Sequence, residues 1–331
     1  TAVMNFEGAT GYLVGDENQG MRYMFTMMNS ARLSVGLQGL AISERAYQQA
    51  REYAQERRQG RAIGAAKTDH SPIIEHPDVR RMLMTMKAYN EAMRCVLYAT
   101  AEAFDQANNA PDEATREAGQ EYMDLLTPIA KGWCTDLGVE MTSLALQVHG
   151  GMGYVEETGV AQHYRDARIA PIYEGTNGIQ AIDLVARKLP MRTGGAVQDL
   201  IGSMSALDGD LAEAGDDLAS IRSSLTEAVA DLTAAVLWLA EHGVADPNDA
   251  LAGATPFLRL MGTAVGGWYL ARSALEAHRM LNSGEGDSAF LEAKITTARF
   301  YAEQLLPQTK GLLPMVTAGA DQLFEVPADQ L

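Results

Sequence analysis

From Gly20 onward the apolar positions of this 331-residue chain fall three and four apart. Met21, Met24, Met28, Ala31 and Val35 form one stripe with the period of an amphipathic helix, and the spacing predicts a helix from Gly20 to about Arg58. A second helix is expected after His76-Pro77, with Met82, Met86, Tyr89, Met93 and Val96 on one face. A third region carries Tyr122, Leu126, Ile129, Trp133 and Leu137. Within it, Thr127-Pro128 reads either as an N-cap followed by proline at the first helical position or as a kink. Residues 147–174 read as a glycine-rich loop, and a fourth helix then runs to about Lys188, stopped by Pro190. Met191-Arg192-Thr193-Gly194-Gly195 has the composition of a linker. Beyond it Leu218, Ile221, Leu225, Val229, Leu232, Val236 and Leu239 renew the helical stripe. Two more helical stretches follow at about 248–283 and 288–311, separated by Asn282-Ser283-Gly284-Glu285-Gly286.

Only the first residues break this period. Phe6 to Gly15 reads as a short strand-turn-strand piece, yet nothing later offers partner strands, and a lone hairpin is marginal in water. The expectation is a chain that begins inside a larger protein, at the tail of a β domain. The fold class is therefore all-α. A β remnant over 1–18 precedes a four-helix bundle over 19–190 and a second, bundle-like helical extension over 191–331.

Composition narrows the partners. With 47% hydrophobic residues the chain has material for a large core, but no run reaches the roughly 18 apolar residues of a membrane span. No signal-peptide pattern is seen at its start. Two cysteines, Cys95 and Cys134, fit a reducing, cytoplasmic setting; neither they nor the six histidines show metal-ligand spacing. A net charge of −17 argues against nucleic acid or an anionic membrane as partner. The charge is uneven: residues 195–331 carry 19 acidic and 7 basic groups, whereas residues 1–194 carry 24 and 19. An anionic ligand favours the first part.

The chemistry concentrates in Ile172-Tyr173-Glu174-Gly175-Thr176-Asn177-Gly178-Ile179-Gln180. One carboxylate sits in a short loop between proline and glycine, just before a helix. It reads as an N-terminal helix acid favoured by the dipole, or as a base held beside a cleft to remove a proton next to a carbonyl. Gln147-Val148-His149-Gly150-Gly151-Met152-Gly153-Tyr154 is either a plain turn or a loop whose N–H groups cradle phosphate. His149 reads as a core or loop histidine rather than a catalytic one. Arg57, in Ala54-Gln55-Glu56-Arg57-Arg58-Gln59-Gly60-Arg61, is either part of a solvated helix end or an anion-pairing guanidinium. Arg32 is a structural ion pair or a ligand contact.

Taken in order and spacing, these segments, with Arg165-Asp166-Ala167-Arg168-Ile169 ahead of them, resemble the acyl-CoA dehydrogenase family over residues 1–190. The resemblance implies an FAD enzyme in which Glu174 takes the α-proton of an acyl-CoA while the β-hydrogen leaves as hydride. It implies that the thioester carbonyl is held by the flavin ribityl group and the Glu174 N–H. Gly175 would let flavin and substrate approach, with Tyr173 on the substrate side, and Thr176 would touch flavin. Gln147, Gly150 and Gly151 would receive FAD from a neighbouring subunit, Arg57 would pair with its diphosphate across the dimer, and Gln59 would add a polar contact. Arg32 and Asn29 would lie towards substrate and CoA.

The chain departs from the family pattern at Gly178, where a flavin-contacting glutamine is usual, and at Gly60-Arg61, where an aromatic-glycine pair is usual. The acidic extension and Val148-His149-Gly150-Gly151 look most like the branch containing 3-methylthiopropanoyl-CoA dehydrogenase. Implied partners are an acyl-CoA, an electron-transferring flavoprotein and a second copy, as a homodimer or dimer of dimers. The isolated chain is expected to be inactive. An acyl-CoA oxidase-like enzyme and a non-catalytic helical oligomerisation module are the rival readings.

Overall fold

Residues 2–65 and 70–331 are described by a computed structural model, the side chain of Asn29 excepted. Helix α1 spans Gly20–Glu56, and α2 spans Pro77–Asn109 with proline in its first turn. Helix α3, Glu113–Pro128, is capped by the Asp112 carboxylate, which accepts from the Thr115 N–H at 2.8 Å. It runs through a π-helical turn, Ile129–Trp133, into α4, Cys134–His149. Thr127-Pro128 is thus not a helix start. Pro128 has no N–H to donate, and the wide turn follows where the ladder re-forms.

The segment expected as a loop is partly helical. Gln147 lies on the last turn of α4; a single turn α5, Gly151–Tyr154, and a short helix α6, Val160–Ala167, follow. Helix α6 exists because Val160, Ala161 and Ala167 bury one face, a stripe too short to stand out in the sequence. Helix α7, Asn177–Asp183, continues through a π-helical turn to Lys188 and ends before Pro190.

A tight turn at Met191–Gly194, with Arg192 and Thr193 at φ 49° and 56°, leads to α8, Gly195–Glu213. Then come α9, Ala219–Ala245, and α10, Pro247–Ala252. Helix α11, Ala254–Ser283, ends at Gly284 with φ 74°. Helix α12, Ser288–Phe300, α13, Gln308–Val316, and α14, Asp321–Glu325, complete the order. The two long stretches expected after 248 are each interrupted, at Gly253 and at Pro307. Helix α8, absent from the sequence reading, buries Val197, Leu200 and Met204. Residues 2–19 hold bends and a turn but no strand and are almost wholly exposed, so the expected strand-turn-strand does not form; without partner strands a hairpin has nothing to bury.

Helices α1 and α4 run parallel and close. A Cβ on Gly39 would lie 2.6 Å from the Cys134 carbonyl oxygen, and one on Gly138 would lie 2.8 Å from that of Gly39. The same pairing stacks Tyr53 on His149, with ring centroids 4.4 Å apart. The C-terminal ends of α1 and α4 therefore share one end of the bundle.

The acidic extension packs directly on this bundle. Trp133 lies under Gly262 and Gly266 of α11, and Tyr89 meets Trp133 and Tyr301 edge-on. The Tyr122 and Tyr269 hydroxyls are 2.7 Å apart, Arg259 grips Glu140 at 2.6 and 2.9 Å, and Lys294 reaches Glu91 at 2.7 Å. Buried side chains from α2 to α13 form one continuous hydrophobic cluster. By length and composition alone Gly215–Ala245 is apolar enough to cross a membrane. One stripe of it, with Leu225, Leu232 and Leu239, is buried in that cluster, while most of its apolar window stays partly or fully exposed.

Candidate active site

The loop between α6 and α7 is closed by its own backbone. Ile169 O accepts from the N–H groups of Ile172 and Tyr173 at 2.9 and 3.1 Å, and Pro171 O accepts from Asn177 N–H at 3.0 Å. Within that closure Glu174 takes φ 56° and Gly175 φ 85°. The left-handed region disfavours glutamate, so its occupation here stores backbone strain. At Gly175 any side chain is blocked as well, since a Cβ would lie 2.9 Å from Gln180 Nε2 and 3.6 Å from an Arg32 amino group. Thr176 caps α7 by accepting from Ile179 N–H at 3.3 Å. The Tyr173 hydroxyl donates to Gln38 Oε1 on α1.

Glu174 is half-buried. Among the described residues neither its carboxylate nor its N–H has a hydrogen-bond or ion-pair partner. Two buried cations lie near the loop. Arg32 pairs with Asp183 at 3.5 Å, and Asp183 also holds Arg187 at 2.6 Å. The Arg32 Nε has no partner among the described residues. The other cation, Lys131, is fully buried on the π-helical turn, and its Nζ donates to Asn177 Oδ1 at 2.8 Å. The Asn177 Nδ2 in turn donates to Asp136 Oδ1 at 2.7 Å and to Gly132 O at 3.0 Å. Burial pulls the Lys131 ammonium down to about 8; Asp136 pulls it back up, Arg32 pushes it down and Glu174 raises it. Asp136 is shifted upward by burial, against the hydrogen bond from Asn177.

Sequence reasoning missed Lys131. Its signal was present: it is the only charge between Leu125 and Cys134, in an apolar stretch whose every residue is buried. Asn29, expected on the substrate side, has its side chain outside the described residues.

The remaining expected residues lie elsewhere. Arg57 follows α1, is exposed, and donates to Gln59 Oε1 at 3.2 Å; Gln59 N–H donates to Ser71 O at 3.1 Å. Gly150 closes α4 at φ 58°, and a Cβ on Gly150 or Gly151 would meet nothing within 4 Å. Gln147 is exposed beside them. His149 is buried, bonded through Nδ1 to Ala145 O at 2.7 Å and shifted downward by burial, which makes it a core histidine. Arg57 lies 25 positions after Arg32, just past the end of α1, about 37 Å at the helical rise. Glu174, Tyr173, Gly175, Thr176 and Arg32 therefore gather in one cluster, and Arg57, Gln59, Gln147, Gly150 and Gly151 at the end of the bundle where α1 and α4 stop. One chain does not bring the two clusters together.

Residues 18–189 match the family described as acyl-CoA dehydrogenase, C-terminal domain, and residues 197–327 match one described as acetyl-CoA dehydrogenase C-terminal like. The chain is 49% identical to 3-methylmercaptopropionyl-CoA dehydrogenase of Ruegeria pomeroyi, an alignment covering 98% of this chain and 55% of that protein. Among solved structures, Caenorhabditis elegans ACDH-11 in complex with C11-CoA superposes with a TM-score of 0.71 at 19% identity, over 95% of this chain and 50% of that one. An acyl-CoA dehydrogenase from Bacillus anthracis complexed with FAD gives 0.70 at 17% identity, over 91% and 50%. At those identities the two structures establish the fold. The chain spans about half the length of the curated relatives it matches.

Proposed function

This chain belongs to the acyl-CoA dehydrogenase family, and on that premise we propose that it carries the catalytic base of an FAD-dependent enzyme converting an acyl-CoA to its 2,3-enoyl-CoA. The observation that carries the reading is Glu174 itself. An unclaimed carboxylate is presented on a strained, doubly anchored turn, beside two buried cations. The α-C–H of a thioester is a weak acid. Glu174 takes that proton, and its own N–H, also unclaimed, is the donor for the thioester oxygen on which negative charge grows. FAD, when bound, accepts the β-hydrogen with its electron pair, so that proton and hydride together account for the new double bond. Tyr173 and Gly175 flank the base on the substrate side. Arg32, engaged with Asp183, contributes a fixed positive charge there.

The residues at the other cluster fit an anionic dinucleotide. The Gly150-Gly151 backbone faces open space, and the exposed Arg57 guanidinium, braced by Gln59, has the planar fork that suits a diphosphate. Gln147 borders the same opening, and Thr176 would meet the flavin from the Glu174 side. Because the clusters lie about 37 Å apart along α1, we assign them to different subunits around one FAD, in a homodimer or a dimer of dimers. In this reading each cluster supplies only part of the flavin's contacts, so the purified chain is expected to lack stoichiometric flavin absorbance and acyl-CoA turnover. A short thioether acyl-CoA, of the kind named for the Ruegeria relative, leads the substrate panel, with an electron-transferring flavoprotein as the proposed electron acceptor.

Replacing Glu174→Gln in the full-length enzyme tests the assignment. Flavin should stay bound while its reduction by acyl-CoA slows by roughly 10²–10⁴-fold. Reduction at near wild-type rate in that variant refutes it.

A further inference from the structure

One of the two buried cations beside the Glu174 loop has no role in the steps above. Lys131 is fully enclosed, and its hydrogen-bond partner is a neutral amide rather than a carboxylate. Buried ammonium groups normally pair with an opposite charge, so this arrangement calls for a reason. The amide is held in one orientation. Its oxygen faces the Lys131 ammonium and its nitrogen faces the Asp136 carboxylate, with Gly132 O and Thr135 Oγ1 as further acceptors at 3.0 and 2.9 Å. The backbone N–H of that same Asn177 makes the bond to Pro171 O that closes the loop. A continuous path therefore runs from the Lys131 ammonium, through Asn177, to the turn in which Glu174 and Gly175 are left-handed.

Building on the reading of Glu174 as the base, we propose that Lys131 is a positioning residue for it: acting through Asn177, it locks the Glu174 turn. The π-helical turn after Pro128 is what brings the lysine inward, since every residue from Ile129 to Trp133 is buried. The charged groups facing the ammonium come from each packed element: Arg32 from α1, Asp136 from α4 and Glu174 from the loop. Arg32 is partly neutralised by Asp183, which Arg187 also holds. A lysine suits this place because it carries three donors on a flexible stem.

The test uses the full-length flavoenzyme and two variants. In Lys131→Met, hydrogen exchange of residues 169–178 should quicken by roughly tenfold, while exchange elsewhere is unchanged. The turnover number should fall at least about tenfold with KM for acyl-CoA within about twofold, the mark of a misplaced base rather than lost binding. In Asn177→Ala the loop should loosen in the same way. A folded Lys131→Met enzyme with unchanged loop exchange or an unchanged turnover number overturns the proposal. If that variant does not fold, Asn177→Ala decides, and an unaltered loop there overturns it too. Failure of the base assignment is read separately, as flavin reduction retained in Glu174→Gln with the loop-exchange result intact.

Discussion

A glutamate at φ 56° is less stable there than a glycine, so the fold holds Glu174 at a cost. Replacing Glu174→Gly in this chain should raise stability by up to about 1 kcal/mol in a urea titration, while removing the base. A lower midpoint would show that the side chain itself holds the turn. Lys131 makes a second prediction at this scale, with its sign fixed by burial. Its proton is held at 10.5 in the free side chain but only to about 8 in the fold. Between those values the unfolded chain binds more protons, so stability rises with pH across that window and the full penalty applies below it. The difference is on the order of 3 kcal/mol. Urea midpoints of the wild type minus those of Lys131→Met should climb from pH 8 to above 10; a flat difference shows that the ammonium is not depressed. Glu174 and Thr176 were legible in the sequence because the motif is contiguous. The Lys131–Asn177 pair was not, because the partners lie 46 residues apart and meet only through a helix irregularity.

Among the elements, most long helices announced themselves by period, α8 excepted, and the start of α2 by Pro77. Short or interrupted ones did not. Helix α6 buries too few residues to form a readable stripe, and Pro128 fits a start as well as a kink until its neighbours are seen. What decides the α3–α4 junction is packing: the wide turn carries Trp133 inward against α11. A Cβ on Gly262 would lie 2.4 Å from the Trp133 ring, whose atoms are hemmed in by the core. Gly262→Val should therefore destabilise the chain by about 3 kcal/mol, through overpacking at an immovable ring. Gly311→Ala on α13, where a Cβ meets nothing within 4 Å, should be neutral or gain about 0.5–1 kcal/mol from helix propensity. Thermal unfolding of both variants checks the contrast. Equal shifts would mean that Trp133 can move aside.

At the scale of the molecule, surface charge and core follow different divisions. The acidic excess after residue 195 and the turn at Met191–Gly194 divide the sequence in two, and both features lie largely on the outside. The interior does not divide there. Tyr89 and Trp133, on the first part, are covered by Tyr301 and by the glycines of α11; Gln308 donates to the Tyr89 hydroxyl at 3.1 Å. Trp133 also borders a cavity of about 690 Å³ that Thr176 and Gly178 share with Leu258, Leu312 and Met315, so the extension backs the Glu174 loop itself. A sequence pattern reports that a stripe is buried, not against what, which is why this union was out of reach beforehand. It predicts one cooperative unfolding event. Tryptophan fluorescence, which samples Trp133 as well as Trp238 and Trp268, should trace the same urea transition as far-ultraviolet circular dichroism. A chain cut after Pro190 would leave Tyr89 and Trp133 without their cover. It should bind a hydrophobic dye and lose the sharp transition. Two separated transitions in the intact chain, or a compact and cooperative 1–190 fragment, would show that the halves fold independently. The extension's support of the Glu174 loop would then be a contact between two finished bodies rather than part of one core.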